Sequence, residues 1–283
     1  MYYDKENKDR LTVIQGGFYY SKLVITNIEV SLFKEMKANN VESNLRTNYL
    51  TLFIGNEPFV ITSLALLESK IVEKDKVQLT LLIGNEIGNI TIATITDILK
   101  EPKVEIERKL INNSLPITDI AISFDMNLFG SCSEDGYVNL YTFTTLKLFR
   151  SIFVEDFVCD YIFISTCPLN SIVVINQSLN KVKTYSINGE FLAESEDSTQ
   201  QYIMKSPKVV RDSNFCEYLI YIFGVKLIMR RLPYLEMKQE CTIPIRNPEM
   251  IDINEGEKTM YIINGNGDEV VYLKNYNLDK ASI

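Results

Sequence analysis

Apolar and polar positions alternate with a period of two in short runs, and helical spacing is nearly absent along the chain. Runs of Val, Ile, Leu, Tyr and Thr are broken by Gly, Asn, Asp and Pro, which is the pattern of strands and turns. The clearest stretch is 116–153. Ile117 to Ser123 alternates as one strand, and Phe124 to Asn127 makes a turn. Leu128 to Ser133 is a second strand of small and apolar residues. Glu134-Asp135-Gly136 predicts a tight hairpin, because glycine reaches positive φ without a Cβ clash. Tyr137 to Phe143 and Lys147 to Phe153 supply a third and a fourth strand.

The same four-strand unit fits the flanking sequence. Turns between second and third strands fall at Gly88, Gly136, Asn180, Gly224 and Gly267, spaced 48, 44, 44 and 43 residues apart. A four-stranded repeat of about 40–45 residues has the period of a β-propeller blade. Counted from their turns, Ile90 and Ile92 match Val138 and Leu140, and also Val182 and Thr184. A one-residue slip would turn such side chains to the wrong face, so the agreement supports a shared register. The expected fold is therefore all-β, a propeller of four-stranded blades with about six blades covered. The blades are expected near 54–110, 111–153, 154–196 and 197–243, with a partial first blade at 7–53 and a partial last one at 244–283. At the start, Asp9 to Gly17 and Lys22 to Ile28 read as second and third strands with no first strand before them. An open propeller exposes strand edges, so upstream sequence or a partner chain is expected to complete the ring. Two polar inserts, Lys34 to Asn48 and Glu68 to Lys76, read as solvated surface, the second as a charged loop.

Composition narrows the function. The chain of 283 residues is 46% hydrophobic and 23% charged, enough apolar mass for a sizeable core. A net charge of −8 repels phosphate backbones and disfavours direct nucleic-acid binding. No run approaches the roughly 20 apolar residues of a membrane helix, and the polar start, Met1 to Arg10, does not read as a signal peptide. The sequons at Asn89, Asn112 and Asn176 then read as chance products of an asparagine-rich chain. Five cysteines without a CxxC pair read as buried free thiols in a reducing compartment. There are no histidines, which removes Ser-His-Asp and Cys-His nucleophiles and histidine-ligated zinc. A non-enzyme without cofactor or metal is expected.

The segment Pro116 to Ile152 resembles a WD40 repeat in its strand, turn, Ser-x-Asp-Gly and strand order. It departs where that family is named. Tyr141-Thr142 stands where Trp-Asp is usual, and Asn112-Asn113 where Gly-His is usual. The family's Asp-His-Ser-Trp network therefore cannot form as such, and ring packing by Tyr137, Tyr141 and Phe143 is expected instead. Further pieces are similar to the C-terminal propellers of BEACH-domain proteins of the neurobeachin and lysosomal-trafficking-regulator type. They are the Gly-Gly-aromatic segment Gln15 to Ser21, Gly55 to Leu66, Thr145 to Ile152, Thr184 to Glu196 with its Ser186-Ile187-Asn188-Gly189 run, and Met229 to Glu236. The resemblance implies a scaffold in membrane and vesicle traffic. Such a chain binds other proteins, lies in the cytoplasm or peripheral to endomembranes, and reaches membranes only through partners. The alternative is a structural subunit of a ciliary, cytoskeletal or ribonucleoprotein assembly.

Propellers bind partners through loops beside the central channel. The candidate interaction face is Thr62, Thr118, Asp119 and Asp252, read as lying where innermost strands start. For Asp119 a cap on a neighbouring turn is the favoured reading, ahead of a partner contact. Gly265-Asn266-Gly267-Asp268 reads as a hairpin rather than a calcium or nucleotide turn. Arg230-Arg231 is the one compact basic pair, and a salt bridge with the acidic surface suits it better than a phosphate site.

Overall fold

The computed structural model describes residues 2–3, 10–16, 22–29, 48–53, 59–73, 76–96, 103–166, 169–197, 201–212, 214–254, 259–267 and 269–274. Every regular element among them is a β-strand. The first sheet joins β1 (Tyr2–Tyr3), β2 (Arg10–Gly16), β3 (Lys22–Glu29) and β4 (Asn48–Phe53). The second joins β5 (Ile61–Glu73), β6 (Lys76–Asn85), β7 (Asn89–Thr96) and β8 (Lys103–Ile111). The third joins β9 (Ile117–Ser123), β10 (Leu128–Ser133), β11 (Tyr137–Thr142) and β12 (Leu148–Phe153). The fourth joins β13 (Tyr161–Ser165), β14 (Ser171–Asn176), β15 (Lys181–Ser186) and β16 (Phe191–Glu196). The fifth joins β17 (Met204–Arg211), β18 (Glu217–Phe223), β19 (Lys226–Arg231) and β20 (Glu236–Thr242). The sixth has three strands, β21 (Pro248–Asn254), β22 (Thr259–Asn264) and β23 (Val270–Lys274). Each sheet is an antiparallel meander in chain order, so five four-stranded blades and one of three are present among the described residues. The chain divides into two compact units, 1–120 with 133–135, and 121–132 with 136–283.

Hydrophobic periodicity explains the layering of the second unit. The middle strands β10, β14 and β18 are buried at every position, so they read as unbroken apolar runs. Their alternate residues serve opposite faces. Ile172 and Val174 pack with Val138, Leu140 and Ile152 of the third sheet. Val173 and Ile175 pack with Leu219 and Tyr221 of the fifth. Ile220 and Ile222 in turn meet Ile251, Met260 and Ile262 of the sixth. Each such Ile or Val contributes about 1.5–3 kcal/mol by leaving water. The fourth strands β12, β16 and β20 have at most one buried position each.

The turn residues do what their types predict. Gly88, Gly136, Asn180, Gly224 and Gly267 all take positive φ, from 54° to 86°. Ile90, Ile92, Val138, Leu140, Val182 and Thr184 are all buried, as the shared register requires. A second recurrent feature was not visible in the sequence. The pairing of third and fourth strands shifts register at Ile92/Ala93, Leu140/Tyr141, Thr184/Tyr185 and Met229/Arg230. Such bulges bend an outer strand and disrupt the ladder it offers to other chains.

Several expectations are corrected. The first sheet does have a first strand, since Tyr2 pairs with Thr12 and Tyr3 with Leu11. Glu68 to Glu73 and Lys76 are no loop but strand, the far part of the β5–β6 pair, with Ser69 opposite Leu79 and Ile71 opposite Val77, and 74–75 lie outside the described residues. The partner strand alternates polar and apolar residues from Lys76 to Thr80, which suits a two-stranded ribbon. Ring packing is not alone at the blade junction. The Asn113 amide and the Ser114 backbone N–H and hydroxyl donate to the Asp135 carboxylate, and the Ser133 hydroxyl donates to the Leu115 carbonyl at 3.0 Å. Asparagine thus supplies the donor that a histidine would give. Tyr141 is buried and stacks on Phe129 with centroids 4.9 Å apart. Tyr137 is exposed and packs on Phe153 instead. Residues 17–21 of the Gly-Gly-aromatic segment, the insert 34–47, the start 55–58 of the next quoted piece, and Cys167 lie outside the described residues.

Candidate functional site

The second unit holds a cavity of about 440 Å³ where β9, β13 and β17 end. Ile122, Ile164 and Val209 give it apolar walls, and Thr166, Arg211, Glu217 and Asp125 supply its polar groups. The β17–β18 turn sets the central pair. Asp212 accepts from the backbone N–H groups of Asn214 at 2.9 Å and Cys216 at 2.7 Å, and from the Tyr218 hydroxyl at 3.0 Å. Asp-Ser-Asn is apt for this, because an aspartate carboxylate mimics a backbone turn. The turn leaves Arg211 directly across the ladder from Glu217.

Glu217 is buried, and both its oxygens are used. Oε1 accepts from Arg211 Nη2 at 2.7 Å, from Nε at 3.1 Å and from the Thr166 hydroxyl at 3.2 Å. Oε2 accepts from the Thr166 backbone N–H at 3.0 Å. Arg211 Nη2 also donates to Thr166 Oγ1. A buried carboxylate needs a partner of this kind, and the arginine is held in place in return. The outer side is looser. Asp125 Oδ2 lies 3.6 Å from Arg211 Nη2, with the aspartate side chain 69% exposed and the arginine 35%. Phe124 beside it is 68% exposed. The turn carrying both closes through the Asn127 N–H to the Phe124 carbonyl at 3.1 Å, with Asn127 at φ 55°. A guanidinium stays protonated throughout the ordinary pH range, so this group can pair with an anion and cannot shuttle protons.

None of the four residues proposed from the sequence lines this cavity. Thr62 is exposed at the second position of β5. Thr118 and Asp119 are half-buried near the start of β9, whereas the cavity receives the end of that strand. Asp252 is not at a strand start. The strand begins at Pro248, with a register shift before Met250, which puts Asp252 fifth of its seven residues and exposed. A proline opens a strand readily because it has no N–H to place in the ladder.

The arginine pair also differs from expectation. Arg230 is buried, and its Nη2 donates to Asp197 Oδ1 at 2.8 Å, its Nε to the Tyr221 hydroxyl at 2.8 Å, and its Nη1 to the Leu235 carbonyl at 3.3 Å. This is an internal pair, not a surface one. The Gly265–Gly267 segment makes the β22–β23 hairpin, closed by Gly267 N–H to the Asn264 carbonyl at 3.1 Å. Among the described residues no group of three or more Cys, Asp or Glu side chains is placed to hold a metal ion. Nor is any helix among them long and apolar enough to cross a membrane.

No family pattern matches the sequence, and no curated protein matches it. Solved structures do. The crystal structure of BBS1N in complex with ARL6DN, soaked with lead, superposes with a TM-score of 0.63 at 15% identity, over 95% of this chain and 77% of that one. The same complex soaked with mercury gives 0.61 at 14% identity, over 92% and 78%. The chain folds as a β-propeller. At these identities the likeness speaks for the propeller fold alone, and the BEACH likeness rests on the quoted motifs.

Proposed function

We propose that this propeller is a non-enzymatic protein-interaction platform that engages a partner at the mouth formed where β9, β13 and β17 end. One observation carries the reading. An open cavity has its arginine anchored from behind by a buried carboxylate, and carries an exposed phenylalanine and aspartate on its rim. An aromatic side chain beside a fixed charge is the usual make-up of an interface anchor. The propeller of similar fold, BBS1N, was itself crystallised in complex with ARL6DN.

A scaffold role in membrane traffic of the BEACH type is a finer reading, supported only by the sequence motifs. The alternative, a structural subunit of a ciliary, cytoskeletal or ribonucleoprotein assembly, would present the same mouth to a neighbouring subunit. Thr62, Thr118, Asp119 and Asp252 stay as a proposed second contact face.

The test places a photo-cross-linking amino acid at Phe124, and separately at Leu179. Leu179 is exposed on the β14–β15 turn, at the opposite strand ends of its sheet from Thr166. In cells of the source, position 124 is expected to capture a defined protein that a Phe124→Arg variant loses. Capture from position 179 alone, or no capture from 124, overturns the reading.

A further inference from the structure

We infer that the mouth recognises a carboxylate presented by its partner, and that Asp125 is a built-in stand-in for that group. This rests on the reading of the mouth as a partner site and names the chemistry of the partner. Among the described residues Arg211 meets two carboxylates in unlike ways. Glu217 is 7% exposed and pairs at 2.7 Å, while Asp125 is 69% exposed and lies at 3.6 Å, beyond hydrogen-bond reach. The first is a structural fixture, whose loss would strand a buried charge. The second is an exposed ion pair of the weak, easily exchanged kind.

An incoming carboxylate takes the place of Asp125 if that side chain turns out to solvent, which its 69% exposure allows, and Asp125→Asn removes the competing charge. The incoming group gains what Asp125 lacks, a bonding distance to the guanidinium, without disturbing Glu217 or Thr166. A partner cation would meet the opposite arrangement, since Arg211 stands between it and the buried carboxylate. Within a chain of net charge −8, β17 carries Lys205, Lys208 and Arg211, of which Arg211 lines the mouth. Lys205 is matched by Glu249 of the next sheet at 2.5 Å. The apolar walls Ile122, Ile164 and Val209 suit the aliphatic part of an acidic side chain or the last residue of a chain. The occupant is thus an acidic protein segment, bound by a side-chain carboxylate or by a chain terminus.

The experiment titrates the full chain with acetyl-aspartate amide, which offers a side-chain carboxylate, and with acetylglycine, which offers a terminal one. Acetyl-asparagine amide and acetylglycinamide are the uncharged controls. Methyl resonances of Ile122, Ile164 and Val209 report binding. Saturable shifts are expected from at least one acid and from neither amide, and the responding acid tells the side-chain source from the terminal one. Asp125→Asn should tighten that binding about two- to fivefold, the scale of an exposed ion pair. Arg211→Gln should abolish it; because that change also orphans Glu217, the Arg211→Gln/Glu217→Gln double variant is measured beside it. Acids that shift the methyls no more than the amides overturn the inference, and so does an Asp125→Asn variant that binds equally or more weakly. A partner captured at Phe124 whose binding ignores both acids and Asp125→Asn would overturn this inference while leaving the mouth as a partner site. Carboxylate binding with no partner captured at Phe124 would do the reverse.

Discussion

Asn113 donates its side-chain amide to both carboxylate oxygens of Asp135, at 3.2 and 3.4 Å. The aspartate also accepts from the Ser114 N–H at 2.8 Å and hydroxyl at 3.3 Å. One carboxylate thus ties the β8–β9 connection to the β10–β11 turn. Asp135→Ala should cost about 1–3 kcal/mol, chiefly by taking the carboxylate acceptor away from the buried Asn113 amide and the Ser114 N–H. Asn113→His, which restores a ring donor, should cost less. Urea unfolding of the two variants checks both.

Arg230 and Asp197 are mostly buried, with side chains 11% and 13% exposed. Arg230→Met leaves the carboxylate with the Tyr221 hydroxyl, its bond at 2.5 Å, but no cation. The expected loss is about 3 kcal/mol. Adding Asp197→Asn should recover part of it, and a double-mutant cycle measures the coupling.

Alkaline sensitivity follows from Tyr218. Burial above all, and next the hydrogen bond to Asp212, push its phenol from 10.0 up to about 12. The folded protein therefore holds this proton more tightly than the unfolded chain. Its stabilising contribution is complete below pH 10 and is lost as pH rises toward 12. Burial shifts Tyr221 the same way. Denaturant midpoints measured across that window should fall less steeply in Tyr218→Phe than in the parent.

Gly88 sits at φ 86°, and a Cβ there would lie 2.5 Å from the Asn113 carbonyl oxygen and 2.8 Å from that of Leu115. Backbone cannot swing aside as a side chain can. Gly88→Ala should cost about 2–4 kcal/mol from positive φ and overpacking together. Thermal unfolding of this variant beside Gly267→Ala separates the two terms, since nothing lies within 4 Å of a Cβ at 267.

The outer strand β12 exposes Leu148, Phe149 and Phe153 at 46%, 47% and 56%, with Arg150 its only charge. Fourth strands β16 and β20 carry glutamates or lysine at several positions, which blunt an edge. Phe149→Lys should reduce concentration-dependent self-association in light scattering while changing stability by no more than about 0.5 kcal/mol.

Much of this architecture is legible in the residues. Turn glycines at a steady period and the paired apolar positions Ile90/Ile92 and Val138/Leu140 are local signals, and the strands follow them closely. The two-residue strand Tyr2–Tyr3 was invisible because so short a run has no periodicity. Glu68 to Lys76 misled because its charges look like loop, while the alternation that marks a ribbon begins only with Lys76-Val77-Gln78-Leu79 on the partner strand. The cavity was half legible. Arg211 and Glu217 flank an Asp-Ser-Asn turn with opposite charge, which is what a cross-strand pair looks like. Nothing local could bring Asp125 and Thr166 to them, since those come from separate sheets more than 40 residues away.

The wholly buried middle strands set the order in which this molecule comes apart. The amides of β10, β14 and β18 are shielded by ladders on both edges and by side chains on both faces, so they exchange with solvent only in the rarest openings. The outer strands, exposed and interrupted by a bulge, can peel away singly while the rest stays intact. Fluctuation is thereby concentrated at the rim, and of the cavity's side chains Glu217, which opens β18, is rooted in the part of the molecule that opens last.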